Sequence, residues 1–162
     1  MSTTTDPDKT RAIRELDRLT SRYQRAEETR DDRRDALHAA IVKHLKARNA
    51  APGIISDHTP YDRVHVGRIG KAGGVEPLIK GEKVTYAPEA VAAATAELDE
   101  LTSAFTAAEG AVDKARDALH PAIAKHYSDR HIGPGEIAEH TPYKRNRILQ
   151  IAREAGAPRI RP

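Results

Sequence analysis

The sequence predicts an all-α protein in which two long helices form an antiparallel coiled coil, each followed by a helix-turn-helix head. The first observation is composition: of 162 residues, 31% are charged and 4% aromatic, which suits long solvent-exposed helices better than a thick core. The second is an internal repeat, because residues 15–74 align without a gap on residues 97–156, with about half of the paired positions identical. The third is that apolar residues recur three and four positions apart along both long helices, as in a coiled coil.

Helix signals place the long helices at matching points of the two repeats. Asp6-Pro7 starts the first, which meets no glycine or proline until Pro52 and is predicted over residues 7–48. The second is predicted over residues 88–129, where Pro121 should cause a kink or a break. The predicted division of the chain is a first repeat at 1–74 with its head at 52–73, a linker at 75–87, and a second repeat at 88–162 with its head at 134–156 and a basic tail at 157–162.

The apolar seam is complete in the second long helix and interrupted in the first. In the second it consists of Leu98, Leu101, Phe105, Ala108, Val112, Ala115, Leu119, Ala122 and His126. In the first it consists of Leu16, Leu19, Tyr23, Ala26, Arg30, Arg33, Leu37, Ala40 and His44. We expect the two arginines to extend outward and pair with acids on the neighbouring helix. The alternative is that they fix the register or the choice of partner helix.

The linker is short, so the second long helix begins near the end of the first and is expected to return along it, antiparallel. An intermolecular coiled coil would satisfy the same seam, which leaves self-association as an alternative. Within the linker, residues 77–86 form two β-like runs around a glycine turn. This segment is either a small β-hairpin or a structured linker without a sheet.

Charge and motifs narrow the functional classes. The formal charge is only +3, but basic residues outnumber acidic ones after His131. The chain has no cysteine, no apolar run of membrane-spanning length and no signal-peptide pattern, so we expect a soluble protein of the cytoplasm. No nucleotide-binding motif or catalytic constellation is evident. We therefore expect a non-enzymatic protein without cofactor, metal, membrane association or evident small-molecule ligand.

The second head carries the main functional prediction. Ile137–His140 is predicted as a supporting helix and Pro142–Ala155 as the reading helix, with Thr141 as a hydroxyl N-cap before a proline. The residues expected to face base edges are Lys144, Arg145, Asn146 and Gln150. Phosphate contacts are expected from Arg147, Arg153, Arg159 and Arg161, and from the hydroxyls of Thr141 and Tyr143. The alternatives are a helical hairpin whose polar face is only solvated, a threonine that only caps, and a tyrosine ring that belongs to the core.

The first head is a weaker candidate for the same role. Asp62, Val64 and Gly67 replace Lys144, Asn146 and Leu149 of the second head. The remaining candidate DNA contacts are Tyr61, Arg63, His65, Arg68 and Lys71. This head is either a reader with another sequence preference, or one that has become a scaffold or a protein-contact surface.

Three histidines recur at matched positions of the repeats. Their spacing of six along the long helix does not place two rings on one face, so a metal site is not expected. We predict that His44 and His126 pack at the base of each head. His58 and His140 are predicted to end the supporting helices.

The segment Glu136-Ile137-Ala138-Glu139-His140-Thr141, followed by Arg145-Asn146-Arg147-Ile148 and Ile151-Ala152-Arg153, resembles small helix-turn-helix proteins of actinobacteria with heads of the sigma-region-4 or MerR-like type. The resemblance covers each head, and it implies DNA binding. It departs from the family in carrying two heads, and in having Pro60 and Pro142 where a glycine is frequent.

The expected function is therefore that of a double-stranded DNA-binding protein with two heads on a coiled-coil rod. It would be located at the nucleoid and act as a transcriptional regulator, or as a nucleoid-type architectural or bridging factor. The alternative is a coiled-coil adaptor whose heads contact protein partners.

Overall fold

The structure is a computed structural model that describes residues 6–158, and these residues are all-α. In chain order the helices are α1 (Pro7–Lys46), α2 (Pro52–Asp57), α3 (Arg63–Ala72), α4 (Pro88–Ser128), α5 (Pro134–Glu139) and α6 (Arg145–Glu154). The predicted class is confirmed: two long helices pack against each other and each is followed by two short ones. No strand occurs among residues 6–158, so segment 77–86 is a linker rather than a hairpin, with a turn at Lys80-Gly81.

The described chain forms two compact units that cut across the sequence repeats. Unit 1 combines residues 6–28 with residues 110–158, and unit 2 is residues 29–109. Each long helix thus contributes one part to each unit, where the α1 and α4 parts run in opposite directions. As a consequence, each head shares a compact unit with the beginning of the long helix that belongs to the other repeat.

The core of unit 1 joins the first part of α1 to α4, α5 and α6. Its fully buried side chains include Leu16 from α1, Leu119 and Ile123 from α4, and Ile137 and Ile148 from the second head. Burial of these aliphatic groups is the main stabilising term of the unit, at roughly 1.5–3 kcal/mol for each side chain.

The core of unit 2 repeats this plan with Leu37 and Ile41 from α1, Leu98 from α4, and Ile55 and Val66 from the first head. Most predicted seam residues are buried in one unit or the other, and His44 and His126 are each only 4% exposed. The expectation that these two histidines pack at the base of the heads is confirmed.

Both long helices end in the same local structure. Arg48 and Arg130 take left-handed φ values of 53° and 57°. The amide of Asn49 then donates to the His44 carbonyl, and that of His131 to the His126 carbonyl. This is the Schellman arrangement that closes a helix C-terminus, and it ends α1 two residues earlier than predicted.

The long helices were expected to be disturbed at Pro121 and to be linked by the seam arginines. The helix α4 continues through Pro121 without a break. The prediction that the seam arginines pair with the neighbouring helix is wrong for Arg30, whose guanidinium lies 3.0 Å from Asp31 of the same helix. Arg33 is exposed. The adjacent Asp31 on α1 satisfies the partly buried guanidinium of Arg30 without a partner on another helix.

Candidate nucleic-acid interface

The second head consists of α5 and α6 joined by residues 140–144. Helix α6 begins at Arg145 with Lys144 as its N-cap, so the predicted start at Thr141-Pro142 is wrong. The reason is that Thr141 Oγ1 donates to the Ile137 carbonyl at 2.9 Å, which caps the end of α5 instead of the start of α6. The supporting helix also begins earlier than predicted, at Pro134, and His140 is its C-cap.

Helix α6 is held with one face inward and the other in solvent. Its buried residues are Ile148, Ile151 and Ala152, which lie in the core of unit 1. On the outer side the predicted base-contacting residues are exposed, namely Lys144, Arg145, Asn146 and Gln150, and so is Arg153. The structure therefore brings these candidate residues together on one accessible surface, called the α6 face below.

Three cations of the α6 face are free to bind an external anion. Among residues 6–158, no ion pair is formed by Lys144, Arg145 or Arg153. Lys144 and Arg145 stand at the N-terminus of α6, where the first backbone N–H groups and the helix dipole also favour negative charge. The local field at this end of the helix is therefore attractive to phosphate.

The C-terminal half of the α6 face contains an acid that sequence reasoning did not single out. Glu154 Oε1 accepts from Gln150 Nε2 at 3.1 Å and lies 3.8 Å from Arg147 Nη1. Its carboxylate thus holds two candidate contact residues against the helix surface. The signal for this contact was present in the i,i+4 spacing of residues 150 and 154.

Tyr143 is engaged within its own unit. Its hydroxyl lies 2.8 Å from His120 Nε2, and its ring centroid is 6.4 Å from that of Tyr23. Burial raises the pKa of Tyr143. Burial and a hydrogen bond with Glu27 raise the pKa of Tyr23 to about 12. Of the two predicted roles for Tyr143, the core ring is the one for which contacts are present.

His120 completes this cluster, and its surroundings disfavour the charged form of the ring. Burial, followed by the nearby guanidinium groups of Arg147 and Arg116, lowers the pKa of His120. A neutral imidazole has one donor and one acceptor nitrogen, so it can share a proton with the tyrosine hydroxyl without adding buried charge. The cluster anchors the turn before α6 to helix α4.

Polar contacts with α1 fix the second head in place. His140 Nδ1 lies 2.7 Å from Asp17 Oδ1, and the Thr20 hydroxyl donates to the His140 carbonyl at 2.9 Å. Near the end of α4, His126 Nε2 lies 2.9 Å from Glu15 Oε2 of α1. His140 ends the supporting helix as predicted, and its ring binds an aspartate on α1.

Unit 2 contains the same contacts at the matched positions. His58 Nδ1 lies 2.8 Å from Asp99 Oδ1, and the Thr102 hydroxyl donates to the His58 carbonyl at 3.1 Å. His44 Nε2 lies 3.2 Å from Glu97 Oε2. Sequence reasoning missed these partners, although the identity of Glu15-Leu16-Asp17 and Glu97-Leu98-Asp99 was a usable signal. Residues that recur outside an apolar seam are candidates for such matched polar contacts.

The first head presents a different surface. Asp62 is the N-cap of α3, and its side chain accepts from the His65 amide at 2.7 Å. The Tyr61 hydroxyl lies 2.8 Å from His38 Nε2, and the His65 ring packs against Tyr61 at a tilt of 57°, with the ring centroids 4.5 Å apart. The exposed candidates are Arg63, His65, Arg68 and Lys71. Val64, which is not a candidate contact, is 64% exposed.

Arg159 and Arg161 lie outside the described residues. Within residues 6–158, no cluster of histidine, aspartate and glutamate is arranged to hold a metal ion. None of the helices in this part of the chain combines the length and apolarity that a bilayer crossing requires.

Comparison with known proteins returned no match to a family model, to a curated protein or to a solved structure.

Proposed function

We propose that the protein is a non-enzymatic double-stranded DNA-binding protein and that α6 is its reading helix. The observation that supports this most directly is the α6 face. Three unpaired cations, an asparagine and a glutamine are exposed there, while the opposite side of the same helix is fully buried. A helix of ten residues is about 15 Å long. With its side chains an α-helix is about 10–12 Å across, so α6 fits a B-form major groove, which is about 12 Å wide.

In this arrangement the residues divide between base and backbone contacts. Arg145 has the geometry to donate to two acceptors of guanine, and Asn146 can bond adenine in the same bidentate manner. Lys144 and Arg153 stand at opposite ends of α6, so each can neutralise a phosphate on one side of the groove. Gln150 reaches a base once its contact with Glu154 is exchanged.

The contacts that hold the head to α1 support the same role. A reading helix must be rigid, because a helix that rotates relative to its support cannot hold a bidentate contact. The hydrogen bonds of His140 and Thr20 and the cluster around Tyr143 fix both the turn and the supporting helix. The biological role consistent with this proposal is a transcriptional regulator or a nucleoid-type architectural or bridging factor.

Binding to a fluorescent duplex of random sequence tests the proposal. The variant Lys144→Ala plus Arg145→Ala removes two charges from the α6 face. Its matched control, Arg14→Ala plus Arg18→Ala, removes the same charge from exposed arginines of α1 in the same unit. Anisotropy titrations over a range of KCl concentrations give the dissociation constant and its salt slope for each protein.

The expected result is that the α6 variant binds about 10–100-fold more weakly and that its salt slope falls by about one for each lost phosphate contact. The α1 control should stay within about three-fold of the original chain, because only long-range attraction is reduced. Equal weakening in both variants would mean that net charge alone drives the binding. Unchanged binding in the α6 variant would refute the assignment of the reading helix.

A second candidate function is favoured by the first head. Val64 is 64% exposed on α3 at the position that corresponds to Asn146, and an exposed aliphatic side chain suits a protein contact better than a base edge. We propose for this head the adaptor alternative, in which it binds a protein partner. Val64→Asp should then abolish the partner complex without changing duplex affinity or its salt slope, and a parallel loss of duplex binding would contradict this division.

A further inference from the structure

Unit 2 contains a cavity that the DNA contacts proposed for α6 do not use. Its volume is about 500 Å³, and it lies between the end of α1, helix α3 and the linker. Its walls are mainly apolar and are formed by Leu45, Ala50, Pro52, Val75, Leu78 and Tyr86. Volumes between about 300 and 1,000 Å³ with such walls are typical of sites for small organic ligands.

The internal repeat explains why the cavity exists. Leu45, Ala50 and Gly67 line it, and the matched positions of the second repeat carry Tyr127, Ile132 and Leu149. These three larger side chains all belong to the core cluster of unit 1, where Tyr127 and Ile132 are buried. The first repeat has a smaller residue at every one of the three positions. Space that side chains occupy in unit 1 is therefore left open in unit 2.

Gly67 is the most informative of these positions. It lies inside α3, where glycine costs about 1 kcal/mol relative to alanine. No close approach requires it, because a Cβ built at Gly67 meets nothing within 4 Å. Gly70 and Gly73 differ in this respect, since a Cβ there would meet Leu45 and Val42 respectively. The absence of a side chain at Gly67 keeps the cavity open without serving local packing.

The polar groups of the cavity determine which ligand suits it. Its lining includes two cations, Arg48 and Lys71, and one anion, Glu76. Arg48 is already bound to Glu82 of the linker at 2.6 Å, and this pair lowers the pKa of the Glu82 carboxyl. Lys71 is exposed and forms no ion pair among the described residues. Its ammonium group is thus the cation left for a ligand.

The linker covers the cavity by a defined contact. Glu82 accepts from Arg48 with one carboxylate oxygen and from the Ile79 amide with the other, at 3.2 Å. These bonds hold the linker turn beside the end of α1, so that Leu78 and Tyr86 complete the wall.

We propose that this cavity binds a small amphipathic organic monoanion, with its apolar body among Leu45, Val75 and Tyr86 and its anionic group at Lys71. A body of about 10–20 non-hydrogen atoms suits the volume. The proposal is independent of whether α6 binds DNA.

The probe for the first test is 1-anilinonaphthalene-8-sulfonate, which joins an apolar ring system to one anionic group and fluoresces when removed from water. The full chain should bind it at one site. Gly67→Leu introduces the side chain found in the second repeat and should weaken binding at least about ten-fold by filling the cavity. The matched control Gly67→Ala also removes the helix-propensity penalty of glycine but adds only a methyl group to the cavity. Its affinity for the probe should stay within about three-fold of that of the original chain.

Thermal melting followed by circular dichroism distinguishes filling from unfolding. Both Gly67 variants should melt at or above the temperature of the original chain, because each replaces a helical glycine whose Cβ position is open. Equal probe binding by Gly67→Leu and the original chain would overturn the proposal. So would the absence of one-site binding to the original chain.

The second test addresses the anionic group by displacing the probe with decanoate or with 1-decanol. Lys71→Gln should reduce the affinity for decanoate about five-fold and leave that for 1-decanol unchanged, because only the former carries a charge. Equal loss for both ligands, or no loss for decanoate, would refute the role of Lys71 and with it the anionic class of the ligand.

Discussion

Truncation of Ile148 tests the orientation of α6, on which the proposed interface depends. Ile148 is fully buried among residues of α1, α4 and α5 in the core of unit 1. Replacement by alanine removes three carbon atoms, which corresponds to about 2.4 kcal/mol of lost transfer free energy at about 0.8 kcal/mol each. The cavity left behind raises the expected loss in unfolding free energy to about 3–4 kcal/mol.

The informative comparison is with Asn146, two residues earlier on the same helix. Two residues correspond to a rotation of about 200°, so the two side chains lie on nearly opposite sides of α6. Asn146 is exposed, and Asn146→Ala should change the unfolding free energy by less than about 0.5 kcal/mol. Any rotation of the helix that exposes one of these residues buries the other.

Urea unfolding followed by circular dichroism at 222 nm measures both free energies. A loss below about 1 kcal/mol for Ile148→Ala, together with a loss above about 2 kcal/mol for Asn146→Ala, would refute the orientation. It would also remove the basis for placing Arg145 in a groove, since this residue shares the exposed surface with Asn146.

The contacts of Glu154, Gly73 and His120 can each be tested by a single substitution. Glu154→Gln frees the Arg147 guanidinium and removes a negative charge beside the α6 face. Duplex affinity, measured by anisotropy at low salt, should therefore rise about two- to five-fold. Weaker binding would contradict this prediction. Gly73→Ala brings a Cβ against the Val42 side chain and should cost about 1–3 kcal/mol in urea unfolding, with recovery when Val42→Ala is added; no recovery would refute the clash. Burial lowers the pKa of His120 from its ordinary value of 6.5. At pH values just below 6.5 the folded chain therefore binds fewer protons than the unfolded chain. The unfolding free energy should then fall as the pH drops through 6.5. His120→Gln should reduce that fall, and an unchanged pH profile would contradict the assignment.

The features that follow from periodicity were predictable from the sequence. The seam residues Leu98 and Leu119, the two buried histidines and the approximate limits of the long helices could be derived because a coiled coil imposes its spacing on every turn. The exposure of Lys144, Arg145 and Asn146 follows from the same reasoning applied to the short helix.

Local competition between hydrogen bonds was harder to predict. The sequence Thr141-Pro142 has the pattern of a helix start, but the threonine hydroxyl binds the carbonyl of Ile137 and delays α6 to Arg145. Both outcomes satisfy the hydroxyl, and only the packing of the two helices decides between them. The contacts of His140 with α1 likewise depend on which parts of the two repeats share a unit.

The cavity in unit 2 was beyond sequence reasoning for a different reason. The small residues Ala50 and Gly67 are visible in the alignment of the repeats, but they lie on different elements, and nothing in the alignment shows that they face one space. Their relation to Ile132 and Leu149 becomes meaningful only when the packing is known.

The most direct test of the DNA-binding proposal uses the absence of cysteine from the chain. A single cysteine introduced by Asn146→Cys can be labelled with an iron chelate that cleaves nearby DNA, and Arg14→Cys on exposed α1 provides the matched control. If α6 is the reading helix, the label at position 146 should cut a bound duplex at one or a few adjacent base pairs, while the label at position 14 should cut weakly or not at all. Equal cutting from both positions, or cutting from position 14 alone, would contradict the proposed interface.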